Sequence, residues 1–220
     1  MPIRLKAIIF DYGNVISEPQ NASEIQGMAS MIKLPLDEFS KAYWTFREAY
    51  DEAKLEPQEY WLQVAELAGR VLTAADIEKL IDLDSRSWMY PRRAIVEWAQ
   101  AIRSKSLRTA VLSNMPVTLR DALEECRWMP EFDYRTFSCN LGMSKPSSEI
   151  YIHCLRGLGL APADVLFLDD REPNVDAARK LGMHAIRFTT PLEAARQMQL
   201  SFDISVPLAA TVGTGDEKDN

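Results

Sequence analysis

The chain has 220 residues, 47% of them hydrophobic and 26% charged, which suits one large globular domain or one domain with an insertion and excludes collagen-like, disordered and disulfide-scaffold classes. Lys and Arg number 25 against 32 Asp and Glu, so the formal charge is −7, which repels a phosphate backbone and argues against a nucleic-acid partner. Three cysteines, Cys126, Cys139 and Cys154, fit neither a CxxC pair nor a zinc site and read as reduced packing thiols.

The first predicted element is a buried strand over Leu5 to Phe10, a short apolar run stopped by Asp11 and Gly13. It is too short for a signal-peptide core, and no stretch of the chain approaches the ~20 apolar residues a membrane helix needs. The expected setting is the cytoplasm, with no membrane partner.

The segment from Ser17 to Tyr90 contains no convincing strand and reads as three or four helices. One apolar stripe runs Leu36, Phe39, Tyr43, Phe46 and Tyr50; another follows Pro57 with Tyr60, Val64 and Leu67. At helical spacing its aromatic residues Tyr43, Trp44, Tyr50, Tyr60 and Trp61 are expected chiefly to pack a local core, with a pocket lining as the alternative role.

Pro91 is expected in the first turn of a helix carrying Ile95, Trp98 and Ile102 on one face. Strands follow over Leu107 to Leu112 and Val165 to Leu168, with a fourth over Ala185 to Phe188 and a weaker one around Tyr134 to Phe137. After Pro173 a helix from Asn174 to Leu181 should close on Gly182.

Strand and helix alternating in this way predict an α/β fold, a Rossmann-like parallel sheet whose ligands gather beyond the carboxyl ends of the strands. The expected organisation is a core of residues 1–16 and 91–206, a helical cap domain of residues 17–90, and a disordered tail of residues 207–220. Asp11, the Ser113-Asn114 pair and the Asp169-Asp170 pair then meet at one crevice. The sequence carries no signal of oligomeric state.

Four elements in order are Phe10-Asp11-Tyr12-Gly13-Asn14-Val15, Leu112-Ser113-Asn114, Gly142-Met143-Ser144-Lys145-Pro146, and Phe167-Leu168-Asp169-Asp170 with Asn174 beyond. Together they resemble the four motifs of the haloacid dehalogenase-like superfamily. The first is similar to that of its FDxGNV phosphatase branch, which includes phosphatases of glucose 1-phosphate. The resemblance implies a small-molecule phosphate ester as substrate and Asp11 as nucleophile, forming an aspartyl phosphate that splits one hard hydrolysis into two displacements. It implies Mg²⁺ held by Asp11, the Gly13 carbonyl, Asp169 and Asp170, because a hard dication offsets the repulsion among carboxylates and phosphate. It further implies phosphoryl binding by Ser113 and Asn114, and a positive charge from Lys145 against both Asp11 and the phosphate.

One position departs from the wider family. Many members carry a second aspartate two residues after the nucleophile to exchange protons with the leaving oxygen and water, and here that residue is Gly13. General acid and base help is worth ~10²- to 10⁴-fold, so its absence either slows hydrolysis, restricts the enzyme to good leaving groups, or shifts the task to water or a cap residue. Gly13→Asp is expected either to raise activity or to obstruct the metal site. Tyr12 is no substitute, because alternation sends it to the other side of the chain.

Asn174 is expected either to orient the acidic loop or to cap its helix, and Arg171 to meet either the phosphate or the carboxylates. His153 and His184 fall outside the motifs and read as structural. Two alternative functions stay open at this stage: a metal-free 2-haloacid dehalogenase using the same Asp11, and a phosphate-binding or interaction module with weak turnover.

Overall fold

The computed structural model describes residues 4–104 and 107–207, so all of the expected tail except Pro207 lies outside the described residues. Five parallel strands form one sheet: β1 (Ala7–Phe10), β2 (Arg108–Ser113), β3 (Tyr134–Phe137), β4 (Val165–Asp169) and β5 (His184–Arg187), in the spatial order β3-β2-β1-β4-β5. The order reverses between β1 and β4, both fully buried, and β1 carries Asp11 just past its end. Such a switch point opens a crevice at the carboxyl edge of a parallel sheet.

Register places the ends of β1, β2 and β4 side by side: Phe10 pairs with Val111 and with Leu168. Asp11, Ser113 and Asp169 therefore share one edge although they lie far apart in sequence. The period of two along each strand divides the apolar residues between two layers. Ile8, Phe10, Val111, Leu166 and Leu168 pack on one face with Ile95, Trp98 and Ile102 of α6 (Arg93–Ser104). Ala7, Ile9, Leu112 and Phe167 pack on the other with Tyr151 and Leu155 of α8 (Ser148–Leu158).

The remaining core helices are α7 (Val117–Glu124), α9 (Glu172–Lys180) and α10 (Pro191–Phe202). Gly182, at φ +86°, ends the α9 turn in the left-handed conformation that the sequence anticipates. Pro91 is a correction: it lies before α6, bridged to Ser17, and the helix opens on Arg92, whose N–H donates to Ile16 while its carbonyl accepts from Val96. Ile95, Trp98 and Ile102 are nevertheless fully buried, so the predicted stripe is the buried one.

Between β1 and α6 lie five helices rather than three or four: α1 (Ala22–Ile32), α2 (Leu36–Thr45), α3 (Arg47–Asp51), α4 (Pro57–Leu67) and α5 (Ala74–Ser87). The long aromatic stripe is broken at Phe46, whose φ of −110° and ψ of 6° leave the helical region and separate α2 from α3. Met28, Phe39, Tyr43, Tyr50, Tyr60, Trp61 and Leu80 build a core of this segment's own, while Leu36 and Leu67 point to solvent. Its entry and exit strands run together: Glu18 donates its N–H to Tyr90 at 2.7 Å and Asn21 to Ser87 at 2.9 Å. Among the described residues no helix is long and apolar enough to cross a membrane, and the three cysteines are free.

Candidate active site

A cavity of about 700 Å³ opens at the carboxyl edge of β1, β2 and β4, between the sheet and the helical insertion. Asp11, Gly13, Ser113, Asn114, Lys145 and Asp170 line its floor. The elements explain the placement. Asp11 follows β1 directly, its N–H donating to Leu168 at 2.8 Å, and the chain then turns sharply through Asn14 at φ +60°. Asparagine tolerates that left-handed conformation, and its side-chain amide donates to Asp170 Oδ2 at 2.9 Å.

Lys145 Nζ is buried and lies 2.7 Å from both Asp11 Oδ1 and Asp169 Oδ2, with the Leu112 carbonyl accepting a third bond at 3.0 Å. All three ammonium donors are thus used. Asn114 fixes this lysine from behind: it donates to the Lys145 carbonyl at 3.0 Å and accepts from the Lys145 N–H at 2.9 Å. Ser113 is buried, and its hydroxyl makes only a 3.4 Å contact with the Asn114 carbonyl.

The three aspartates differ in how much bonding capacity they retain. Asp169 is fully buried and satisfied at both oxygens by Lys145, the Arg171 N–H and Asn174, which donates to both. Asn174 therefore orients the acidic loop, one of its two expected roles. Asp11 Oδ1 accepts from Lys145 and from the Tyr12 N–H at 2.7 Å, and Oδ2 has no partner among the described residues. Asp170 likewise keeps Oδ1 open.

Carboxylate oxygens of Asp11, Asp169 and Asp170 lie within 4.8 Å of one another. With Lys145 their formal sum is −3 + 1 = −2. Burial is the largest influence on Asp11 and raises its carboxyl well above the usual range; Lys145 opposes this and Asp169 adds to it. Burial also raises Asp170, against the Asn14 hydrogen bond. A dication fits this set on charge and on donor type.

The wall facing this floor comes from the insertion: Trp44, Arg47, Glu48, Asp51 and Trp88. Of the aromatic residues considered from sequence, Tyr43, Tyr50, Tyr60 and Trp61 are buried in the insertion's core, whereas Trp44 is 51% exposed and lines the cavity. Arg47 is buried, paired through Nε with Asp51 Oδ1 at 2.8 Å and through an NH group with Asp84 at 3.0 Å. Burial pushes Asp51 up to about 6, against the pull of Arg47 and with Asp84 adding to the rise.

Sequence reasoning missed Arg47, Asp51 and Trp88. The available signal was a charged residue on the aromatic stripe itself, four positions after Tyr43 and four before Asp51. Tyr12 lines the cavity too, but its hydroxyl is spent on the Trp88 carbonyl, to which it donates at 2.8 Å. The Arg171 side chain is exposed at the rim, and His153 and His184 stand against Tyr134 and Phe202, outside the cavity.

Comparison with known proteins agrees with this architecture. A family model described as haloacid dehalogenase-like hydrolase matches residues 5–182. The chain is 27% identical over 212 residues to bifunctional epoxide hydrolase 2 of Mus musculus, covering 89% of this chain but 38% of that protein's length. It is 27% identical over 206 residues to D-ribitol-5-phosphate phosphatase of Bacteroides thetaiotaomicron, covering 83% of this chain and 91% of the relative. A solved HAD family enzyme of Bacteroides thetaiotaomicron, in complex with magnesium and inorganic phosphate, superposes with a TM-score of 0.70 at 16% identity, covering 84% of this chain and 94% of that one. The chain belongs to the haloacid dehalogenase-like hydrolase family.

Proposed function

We propose that the protein is a Mg²⁺-dependent phosphatase of a small phosphorylated metabolite, a sugar or sugar-alcohol phosphate being the class that two of its relatives are named for. The observation that carries this reading is the group of three aspartates within 4.8 Å, two of them, Asp11 and Asp169, bridged by the buried Lys145 and two, Asp11 and Asp170, lining a cavity that also holds Ser113. A metal-free dehalogenase leaves three carboxylates set against the single charge of Lys145.

Asp11 is the proposed nucleophile: its uncommitted Oδ2 attacks phosphorus, and the ester oxygen leaves on the opposite side, toward the insertion. Lys145 holds Oδ1 and fixes the carboxylate for that attack, while the Ser113 hydroxyl donates to a phosphoryl oxygen as charge spreads over it. Asn114 serves by positioning Lys145, and Asn174 by orienting Asp169. Mg²⁺, when bound by Asp11, the Gly13 carbonyl, Asp170 and the oriented Asp169, supplies the charge that lets phosphate approach three carboxylates. Water then attacks the phosphorus of the aspartyl phosphate and regenerates Asp11.

Residues 1–16 and 91–206 form the proposed core and residues 17–90 the cap, hinged at the paired segments around Ser17 and Pro91. Closure of the cap would exclude water and macromolecules from the floor. Free cysteines suit a cytoplasmic setting. Hydrolysis of 4-nitrophenyl phosphate by the wild type and Asp11→Asn, with and without Mg²⁺, tests the reading. Metal-dependent release lost in the variant supports it; wild-type inactivity, or activity indifferent to the metal, refutes it.

A further inference from the structure

The glycine at position 13 leaves proton transfer without an assigned group. Resting on the phosphatase reading above, we propose that Asp51 fills that place: its carboxyl protonates the ester oxygen leaving phosphorus and then takes a proton from the attacking water.

The direction of departure comes first. In-line attack by Asp11, on the floor, sends the leaving oxygen toward the opposite wall, which belongs to the insertion. Two carboxylates of that wall line the cavity, Asp51 and Glu48. Glu48 is exposed, whereas Asp51 is 9% exposed and held in place.

That hold comes from the core. The Ser138 hydroxyl donates to the Asp51 carbonyl and accepts from the Met115 N–H at 2.9 Å, two residues past Ser113. The neighbouring Tyr50 hydroxyl bonds Thr118 at 2.9 Å. Helix α3 is thereby pinned to the segment that follows Ser113 at the end of β2, so the carboxyl has a fixed relation to the phosphoryl subsite.

Asp51 is also available. Oδ1 accepts from Arg47, and Oδ2 has no partner among the described residues. The other candidates are placed otherwise: the Tyr12 hydroxyl donates to the Trp88 carbonyl, and Asp170 stands beside Asp11 and Asp169 on the floor, the side from which attack comes and not the side to which the leaving oxygen departs. Charged and titratable groups facing Asp51 are Arg47, Tyr50, Glu52, Tyr60 and Asp84 from the insertion and Cys139 from the core. Burial outweighs Arg47, and the resulting value of about 6 suits a group that gives and takes protons near neutrality.

The proton balance closes. As the Asp11–phosphorus bond forms and the ester P–O bond breaks, the Asp51 proton passes to the departing alkoxide or phenoxide. Ionised Asp51 then accepts a proton from water as its oxygen bonds phosphorus, Asp11 leaves as carboxylate, and Asp51 ends protonated.

Substituted phenyl phosphates provide the test, because they share shape while their leaving groups differ in basicity. Wild-type turnover of 4-nitrophenyl phosphate checks the phosphatase reading, and its absence overturns that reading together with this one. In Asp51→Asn the loss of kcat/KM should grow as the leaving group worsens, at least ~10-fold greater for phenyl than for 4-nitrophenyl phosphate, within the span of general acid catalysis. Asp51→Glu should recover part of the difference. Asp84→Asn, which removes another partner of Arg47 outside the cavity, should lose equally across the series. A uniform loss in Asp51→Asn overturns the proposal and leaves the phosphatase reading standing. Should that variant fail to fold, the wild-type profile decides: kcat/KM for phenyl phosphate should fall above about pH 6, where Asp51 ionises, more steeply than for 4-nitrophenyl phosphate. Parallel profiles overturn it.

Discussion

Asn174 donates its side-chain amide to both carboxylate oxygens of Asp169, each at 3.0 Å. Through this contact the first turn of α9 sets the orientation of an aspartate at the end of β4. Partners that orient ligands typically govern metal affinity by ~10- to 100-fold. Asn174→Ala should therefore raise the Mg²⁺ concentration needed for half-maximal activity by that factor while the saturated rate falls less. Titration of activity with Mg²⁺ checks it, and an unchanged midpoint speaks against the metal assignment at Asp169.

Lys145→Met leaves Asp11 and Asp169 buried without their shared cation. Breaking a buried pair by removing one partner costs ~3–5 kcal/mol. Denaturant unfolding of the metal-free variant should show a loss of that order, recovered in part by Mg²⁺, and the variant should be inactive even when folded. An equal loss with and without the metal would show that the dication does not replace the ammonium charge.

Gly13→Asp separates two expected outcomes. A Cβ at position 13 meets the Trp88 ring at 3.4 Å, and the added carboxylate joins three others. The Cβ contact is an ordinary van der Waals one, so it is the fourth negative charge that favours obstruction, and activity on 4-nitrophenyl phosphate should fall at least ~10-fold, consistent with misplacement of reacting groups. A rise in activity would mean that the proton-transfer role can be restored at position 13.

Asp11, Asp51 and Asp170 are all raised, chiefly by burial. A carboxyl raised in the folded state binds its proton more tightly there than in the unfolded chain. Its contribution to stability is therefore largest at low pH and is lost as pH rises through the folded value; for Asp51 the window runs from 3.8 to about 6. Metal-free protein should accordingly lose stability from these groups between about pH 4 and neutrality. With Mg²⁺ present the decline should be shallower, because the ion favours the ionised forms of Asp11 and Asp170. Thermal melts across that range, with and without Mg²⁺, check the sign; stability rising with pH in the metal-free protein contradicts it.

The core and the floor of the site were legible because their signals are local. A strand such as Ala7–Phe10 is a continuous apolar run, and the polar residue that stops it is the one the sheet edge exposes. The cavity wall was not legible for the converse reason. Arg47 and Asp51 lie on a stripe that looks like core, and only the break at Phe46 and the pinning of α3 through Ser138 turn that stripe toward the crevice. Neither contact has a signature in local periodicity. The helix count suffered from the same break, since the aromatic spacing runs through Phe46 without interruption while the backbone does not. Asn114 was readable as a motif residue, yet its grip on the Lys145 backbone, across 31 positions of sequence, was not.

The central claim is that Asp11 carries the phosphoryl group during turnover. Acid quenching of the Mg²⁺-loaded enzyme mixed with excess 4-nitrophenyl phosphate, borohydride reduction of any acyl phosphate, and peptide mass analysis should find the reduced residue at position 11, and none in Asp11→Asn. Steady phosphate release with position 11 unmodified, or modification at another residue, would contradict the account.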